Sequence, residues 1–167
     1  ESEKQTAALR YRESERIINH AMKQLYFGSN AHASDRESGP GLFDTDTKAR
    51  FLVDYADILA LLANTHEPAT LHNLIELYEF LIPGDPEKVF EAISNILLGR
   101  CEEEGYHFES LGYNAVVRIV QRYIAEYRTI FKDEGRRDKL VSILQLFSKV
   151  GWPGALKLLH DLPDLLR

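Results

Sequence analysis

The amino-acid sequence predicts an all-α protein of six to seven helices. After residue 46, apolar residues recur every three or four positions through most of the chain, which is the spacing of one helix face. Clusters of Gly, Pro and small polar residues separate these periodic stretches. The run AVVRIV is rich in β-branched residues but keeps the helical spacing, so no strand is expected. With 167 residues, of which 44% are hydrophobic, the chain is long enough to bury a core.

The N-terminal part predicts an exposed helix followed by a flexible loop. Residues 5–27 carry a sparse apolar stripe among many charges, as in a helix that exposes most of its surface. The stretch GSNAHASDRESGPG, residues 28–41, has no apolar side chain larger than alanine and cannot offset the entropy of ordering. We therefore expect an exposed helix over 1–27, a flexible loop over 28–45 and one helical domain over 46–167.

Three helices are predicted in the middle of the chain. The first begins near Asp46. The second, over 69–81, is apolar on most sides and should therefore lie between neighbouring helices. The stretch PGDPEK then makes a corner, with Asp85 as the N-cap of the third helix and Pro86 at its first position. We expect this third helix to end near Gly99.

The C-terminal part predicts two long helices and a short last one. The longest covers about 110–132, and the next covers about 136–149. The only tryptophan, Trp152, then stands between Gly151 and Pro153. Glycine supplies the left-handed backbone that ends a helix, proline opens the next helix, and an apolar residue between them packs onto its first turn. We interpret Trp152 as a clamp between two helices rather than as a ligand site.

The connections after residue 82 are short, so successive helices should pack as antiparallel pairs. Two pairs, 69–99 and 110–149, begin about 41 residues apart, close to the roughly 40–47-residue period of HEAT and armadillo repeats. The two pairs share little sequence similarity. Both a HEAT-like α-solenoid and an irregular helical bundle fit this pattern, because both bury the same apolar stripes.

Composition narrows the chemistry and the compartment. The formal net charge of −6 argues against a general nucleic-acid binder, because phosphate binding depends on clustered Lys and Arg. The single cysteine, Cys101, excludes an internal disulfide and favours a reducing compartment, for which we predict the cytoplasm. Neighbouring glutamates disfavour its thiolate, which makes it a poor nucleophile. No apolar run is long enough to span a bilayer.

Two groups of residues have side chains of the kinds that bind zinc. They are His66, Glu67 and His72, and Cys101, Glu102, Glu103, Glu104 and His107. The first group departs from an H-E-x-x-H motif in the stretch HEPAT, and the second is typical of a solvated corner. The glycine-containing stretch 28–41 also lacks the G-x-x-x-x-G-K-[ST] pattern of a phosphate loop. We predict no metal, no cofactor and no enzymatic activity.

Charge is distributed unevenly along the chain. Residues 64–110 hold ten acidic residues against two basic ones, whereas residues 118–139 hold seven basic residues against four acidic ones. Two arginines on one helix face and two at the next turn are predicted to form a partner-binding surface. They are Arg118, Arg122, Arg136 and Arg137. The alternative is an ordinary solvated surface, with Arg122 and Glu126 as an i,i+4 ion pair.

Three stretches resemble the C-terminal helical end of large, mostly uncharacterised bacterial proteins. They are DPEKVFEAISNIL, GYHFESLGYNAVVRIVQRYIAEYRTIF and LVSILQLFSKVGWPGALKLLHDLPDLLR. Several of those proteins look like NTPases or defence-associated proteins. The resemblance covers about residues 46–167, carries no catalytic motif, and implies a helical accessory region beside a domain that performs the chemistry.

These observations predict a non-enzymatic helical interaction or scaffold module, the C-terminal region of a larger bacterial cytoplasmic protein. A first residue of Glu1 rather than Met is what a fragment of a longer chain would show. The expected partner is another protein or the rest of the same parent chain, and no membrane is expected. The alternative is a nucleic-acid-contacting module of an NTPase-type defence protein, which the acidic segment 64–110 disfavours.

Overall fold

The computed structural model describes residues 2–28, 43–65, 67–99, 113–149 and 151–165. In these ranges the protein is all-α, with eight α-helices, two short 3-10 helices and no strand, so the predicted fold class is confirmed. The α-helices are α1 (Ser2–Gly28), α2 (Thr45–Asp54), α3 (Ala56–Ala63), α4 (Pro68–Leu81), α5 (Pro86–Gly99), α6 (Tyr113–Glu126), α7 (Glu134–Lys149) and α8 (Pro153–Leu165). The 3-10 helices are Ile82–Gly84 and Arg128–Lys132. Among the described residues, no helix combines the length and the apolar character needed to cross a membrane.

The described residues form eight α-helices, whereas six to seven are predicted. The difference arises because the helix expected from residue 46 divides at Tyr55. Tyr55 leaves helical geometry, with φ −109° and ψ 17°. Its N–H still bonds to the Phe51 carbonyl at 3.1 Å, and the two rings lie 4.6 Å apart between centroids. Leu52 and Leu59, on either side of the division, are both buried. The apolar spacing therefore continues across the break, and the sequence pattern does not reveal it.

The chain forms two compact units, Glu1–Gly84 with α1 to α4 and Asp85–Arg167 with α5 to α8. In the N-terminal unit, most residues of α1 are exposed, but the helix packs on α4, and Met22 and Tyr26 of its C-terminal half are buried. Almost all of the predicted loop 28–45 lies outside the described residues. The domain boundaries proposed from the sequence stay a prediction, as does the helical repeat.

α4 is the centre of the N-terminal unit, as its apolar residues predict. Nine of its fourteen residues are buried, and α1, α2 and α3 all pack against it. Lys48 of α2 places its Nζ 4.3 Å from the centroid of the Phe80 ring, a cation–π contact. α2 also approaches the turn after α4 closely, because a Cβ on Gly84 would stand 2.6 Å from the backbone nitrogen of Ala49. These contacts fix α2 on α4.

Three aromatic rings form the centre of the C-terminal unit. The Phe90 ring of α5 lies edge-on to Tyr123 of α6, with centroids 5.3 Å apart, and to Phe131, with centroids 5.0 Å apart. Tyr123 Oη donates a hydrogen bond to the Pro86 carbonyl at 2.8 Å. Burial raises the pKa of the Tyr123 phenol, so the proton needed for this hydrogen bond stays in place.

The longest predicted helix is shorter than expected. Of its predicted span, 110–132, the first three residues lie outside the described part of the chain. α6 ends at Glu126 and a 3-10 helix follows. There the Ile130 N–H bonds to the Tyr127 carbonyl, three residues back, at 3.1 Å. This tighter winding still places Phe131 in the core, so apolar spacing alone does not distinguish it from α-helix.

The corner between α7 and α8 has the predicted structure. Gly151 has a φ of +91°, the Trp152 N–H bonds to the Phe147 carbonyl at 2.9 Å, and α8 begins at Pro153. The Trp152 ring is 9% exposed and lies edge-on to Phe147, with centroids 6.1 Å apart. A Cβ on Gly154 would stand 2.8 Å from Trp152 Nε1. Trp152 therefore clamps α7 to α8, and the clamp also needs a glycine at residue 154.

Candidate functional site

An apolar groove lies between α1 and the α2–α3 pair, all of which pack on α4. Its volume is about 760 Å³. The lining residues are Ile18, Ala21, Met22, Gln24, Leu25, Phe43, Thr47, Arg50, Phe51, Asp54, Tyr55, Ile58, Leu59, Leu62 and Leu77. Leu77 of α4 forms the floor, α1 forms one wall, and α2–α3 forms the other. We call this feature the α1–α3 groove.

Hydrogen bonds set the position of α1, the first wall of the groove. Asn19 Nδ2 donates to Thr70 Oγ1 at 3.0 Å, and Thr70 Oγ1 donates to Glu15 Oε1 at 3.0 Å. Asn73 Nδ2 donates to Asn19 Oδ1 at 2.9 Å. Thr70 and Asn73 are each 3% exposed, so a shift of α1 by one turn would leave buried polar atoms without partners. This network decides which residues of α1 face the groove.

The second wall begins at a capped helix end. Asp44 Oδ1 accepts a hydrogen bond from the Thr47 backbone N–H at 2.7 Å. Hydrogen bonds from the Thr47 side chain and backbone lower the pKa of the Asp44 carboxyl. The carboxylate therefore stays ionised at the positive end of the α2 dipole. This cap, the cation–π contact of Lys48 with Phe80 and the close approach of α2 to Gly84 together fix α2 as the second wall of the groove.

The mouth of the groove exposes large apolar side chains. Tyr55 and Ile58 line the groove and are 46% and 51% exposed, and Ile17, next to Ile18 in the α1 wall, is 59% exposed. Seven of the eight exposed large hydrophobic residues in the described part of the chain belong to the N-terminal unit. Exposed apolar residues that gather at a concave surface mark interaction sites, whereas single ones do not.

The composition of the lining suits contact with an apolar surface. Its polar side chains, apart from the Tyr55 hydroxyl, are those of Gln24, Thr47, Arg50 and Asp54. Among the described residues, those that line the groove include no His, Cys, Ser or Lys and thus no nucleophile–base pair of the usual kinds. A mainly apolar lining with a few polar side chains is typical of helix-binding grooves and ligand pockets.

Two of the four arginines predicted to bind a partner lie on α6. Arg122 Nε is 3.1 Å from Glu126 Oε2, which is the i,i+4 pair named as the alternative. The Arg122 guanidinium also lies 5.9 Å from the centroid of the Tyr127 ring. Arg118 is half-buried on the same helix and also has an interaction partner.

The other two predicted arginines lie at the start of α7 and are also paired with carboxylates. Arg136 Nη1 is 2.9 Å from Glu87 Oε2, and Arg136 Nε donates to the Ile130 carbonyl at 2.9 Å. Arg137 Nη2 is 3.3 Å from Glu134 Oε1. A ligand of these arginines would have to compete with these carboxylates. The arginine surface stays a prediction, and the geometry favours the α1–α3 groove as the interaction site.

The residues considered as metal ligands are only partly described. His66 and the stretch 101–107 lie outside the described residues. His72 Nε2 lies 3.5 Å from Glu76 Oε1, an i,i+4 contact between two half-buried side chains of α4. In the described ranges, no group of three or more His, Cys, Asp or Glu side chains is placed to hold a metal ion.

Comparison with known proteins gives no relative for this chain. No protein-family model, curated protein or solved structure matches it. The resemblance to the C-terminal ends of large bacterial proteins stays an expectation that rests on the three stretches given above.

Sequence reasoning did not find the groove. Ile18, Ala21 and Leu25 belong to the sparse apolar stripe of residues 5–27, and Tyr55 and Ile58 continue the three- or four-residue apolar spacing of the helix predicted from Asp46. The available signal was that α1 carries apolar residues at the spacing of a packed face although most of its side chains are polar. Such a face requires a partner, but the sequence does not say which one.

Proposed function

We propose that this protein is a non-enzymatic interaction module that binds one amphipathic helix in the α1–α3 groove. The observation that carries this proposal is an apolar groove of about 760 Å³ whose mouth exposes Tyr55 and Ile58. An amphipathic helix buries its apolar face in such a groove through anchors spaced three or four residues apart. The helix belongs to another protein or to another part of the same parent chain.

The length of the groove favours a helix over a compact small ligand. The lining residues of the α2–α3 wall extend from Thr47 to Leu62. At a rise of 1.5 Å per residue, the two helices of this wall together measure about 23 Å, or about four helical turns. Because α1 and α2–α3 flank the groove and α4 closes it from below, one added helix would cover the open side of these four helices.

For the compartment and the parent protein, we propose what the sequence predicts. The module acts in the cytoplasm as the C-terminal region of a larger bacterial protein, where it serves as a scaffold beside a catalytic domain. Binding through the groove leaves Arg122, Arg136 and Arg137 in their ion pairs and does not involve nucleic acid.

Selection of helical peptides tests this proposal. A displayed library of amphipathic 16-residue helices is selected on the intact chain, and the enriched peptides are measured against Ile58→Asp and Leu156→Asp. Leu156 is the matched control because it is 62% exposed and lies on α8. We expect Ile58→Asp to weaken binding at least about 10-fold and Leu156→Asp to leave it unchanged. Peptides that bind all three proteins equally would refute the groove as the binding site.

A further inference from the structure

The N-terminal half of α1 extends past the residues that pack on α4. Every side chain from Lys4 to Ser14 is exposed, and Leu9 and Tyr11 are 67% and 56% exposed. Glu15 is the first residue of the hydrogen-bond network between α1 and α4 described above. At 1.5 Å per residue, the exposed part is about 16 Å long, or three helical turns that present apolar side chains to solvent.

This exposed half carries the same face that lines the groove in the second half of α1. The face consists of positions spaced alternately by four and three residues. They are Ala7, Tyr11, Ser14, Ile18, Ala21 and Leu25. The last three line the α1–α3 groove. An average spacing of 3.5 residues is that of the seam along which two helices pair.

Two such faces fit together in antiparallel orientation, because each bulky residue can lie opposite a small one. In one register Tyr11 faces the partner's Ala21, Ile18 faces the partner's Ser14, and Leu25 faces the partner's Ala7. Each copy offers the same face, so the pairing has two-fold symmetry and every contact is made twice. In this register Ile17 lies beside the symmetry axis.

We propose that two copies of this protein associate about a two-fold axis, with the N-terminal half of α1 of each copy in the α1–α3 groove of the other. This inference rests on the proposed function and names the helix that the groove binds. It also gives the exposed half of α1 a partner, since Tyr11 would enter the groove beside the partner's Ala21 and Leu25.

Charge and contact area both fit this arrangement. Residues 4–14 hold three basic residues against one acidic residue, whereas residues 44–63 of the α2–α3 wall hold four aspartates against two basic residues. The inserted segment and the wall therefore attract each other. Fifteen residues line the groove, and the seam face of the exposed half adds several more. About 20 residues of each copy would thus be in contact, within the roughly 20–30 residues a side of a stable interface.

Sedimentation equilibrium of the full 167-residue chain tests the proposal, with variants Tyr11→Glu and Leu9→Glu. Leu9 is the matched control because it lies only two residues from Tyr11 but on the other side of α1, and it is 67% exposed. We expect a dimer for the wild type and for Leu9→Glu. For Tyr11→Glu we expect a dissociation constant raised at least about 30-fold, with unchanged helix content.

Disulfide cross-linking then tests the antiparallel register. In a Cys101→Ser background, oxidation should link two copies of Ile17→Cys, because this residue lies beside the axis. Ala7→Cys should not cross-link, because antiparallel pairing separates the two Ala7 positions by about 27 Å along the helices. A parallel pairing would bring the two Ala7 positions of the seam together and cross-link this variant.

The outcomes separate this inference from the proposed function. A monomeric wild type, a dimer that survives Tyr11→Glu, or equal cross-linking at both positions would overturn the two-fold arrangement. If selected peptides still bound the groove in an Ile58-dependent manner, the proposed function would stand without it. If Tyr11→Glu remained dimeric and the selected peptides bound Ile58→Asp as tightly as the wild type, both inferences would be wrong.

Discussion

The indole ring of Trp152 lies against Gly154, so closely that a Cβ on residue 154 would stand 2.8 Å from the indole Nε1. A methyl group there would push the ring away from Phe147, on which it packs. We expect Gly154→Ala to lower the free energy of unfolding by about 1–2 kcal/mol, because the cost of overpacking exceeds the gain in helix propensity. Urea unfolding measures this change.

Gly135→Ala is the control for this substitution. Gly135 lies in the first turn of α7, and a Cβ there would meet only Asp133 Oδ1, at 3.4 Å. We expect this variant to be more stable by about 0.5–1 kcal/mol, because alanine is the better helix former. A gain of the same size from Gly154→Ala would show that Trp152 does not depend on Gly154.

Gly84 should be even less tolerant of a side chain. A Cβ on Gly84 would stand 2.6 Å from the backbone nitrogen of Ala49 and 2.7 Å from the carbonyl carbon of Lys48. Backbone atoms of α2 cannot turn aside as a side chain can, so we expect Gly84→Ala to destabilise the protein by about 2–3 kcal/mol. Because this substitution displaces the wall of the α1–α3 groove, it should also weaken binding of the selected peptides. Wild-type stability in thermal and urea unfolding would contradict the close approach of α2.

Arg136 and Arg137 are neighbours in sequence but should differ in their effect on stability. The Arg136 side chain is 19% exposed and bonds to Glu87 and to the Ile130 carbonyl, whereas Arg137 is 45% exposed and pairs with Glu134. We expect Arg136→Met to cost about 1–2 kcal/mol, because it leaves the carbonyl and the carboxylate without a partner. Arg137→Met should cost less than about 0.5 kcal/mol. Equal costs would show that the contacts of Arg136 with Glu87 and the Ile130 carbonyl stabilise the fold no more than the surface pair of Arg137.

Tyr78 should make stability depend on pH in the alkaline range. Burial raises the pKa of its phenol from 10.0 to about 12, so the folded state keeps a proton that the unfolded state loses. The contribution of this proton to the free energy of unfolding is complete below pH 10 and is lost as the pH rises toward 12. We expect Tyr78→Phe to make the decline of stability between these pH values less steep, by up to about 1.4 kcal/mol per pH unit. The same slope in both proteins would show that the phenol ionises alike in the folded and unfolded states.

Local chemistry explains why most helices could be placed from the sequence. Asp85 accepts a hydrogen bond from the Lys88 N–H at 3.0 Å, and α5 begins at Pro86, as capping rules predict. Gly151 has the positive φ expected of a residue that ends a helix. These features depend only on residues a few positions apart, so the sequence contains all the information they need.

The sequence by itself determined the all-α class, the approximate helix bounds and the Trp152 corner. Only the tertiary structure decided which apolar residues are free to bind. Leu74 and Ile58 occupy equivalent places in apolar helical stripes, yet Leu74 is fully buried and Ile58 is 51% exposed. It also decided that Arg136 pairs with Glu87, which lies on a different helix. Exposure and such ion pairs depend on which helices meet in space, and the periodicity of one helix does not say which helices pack against it.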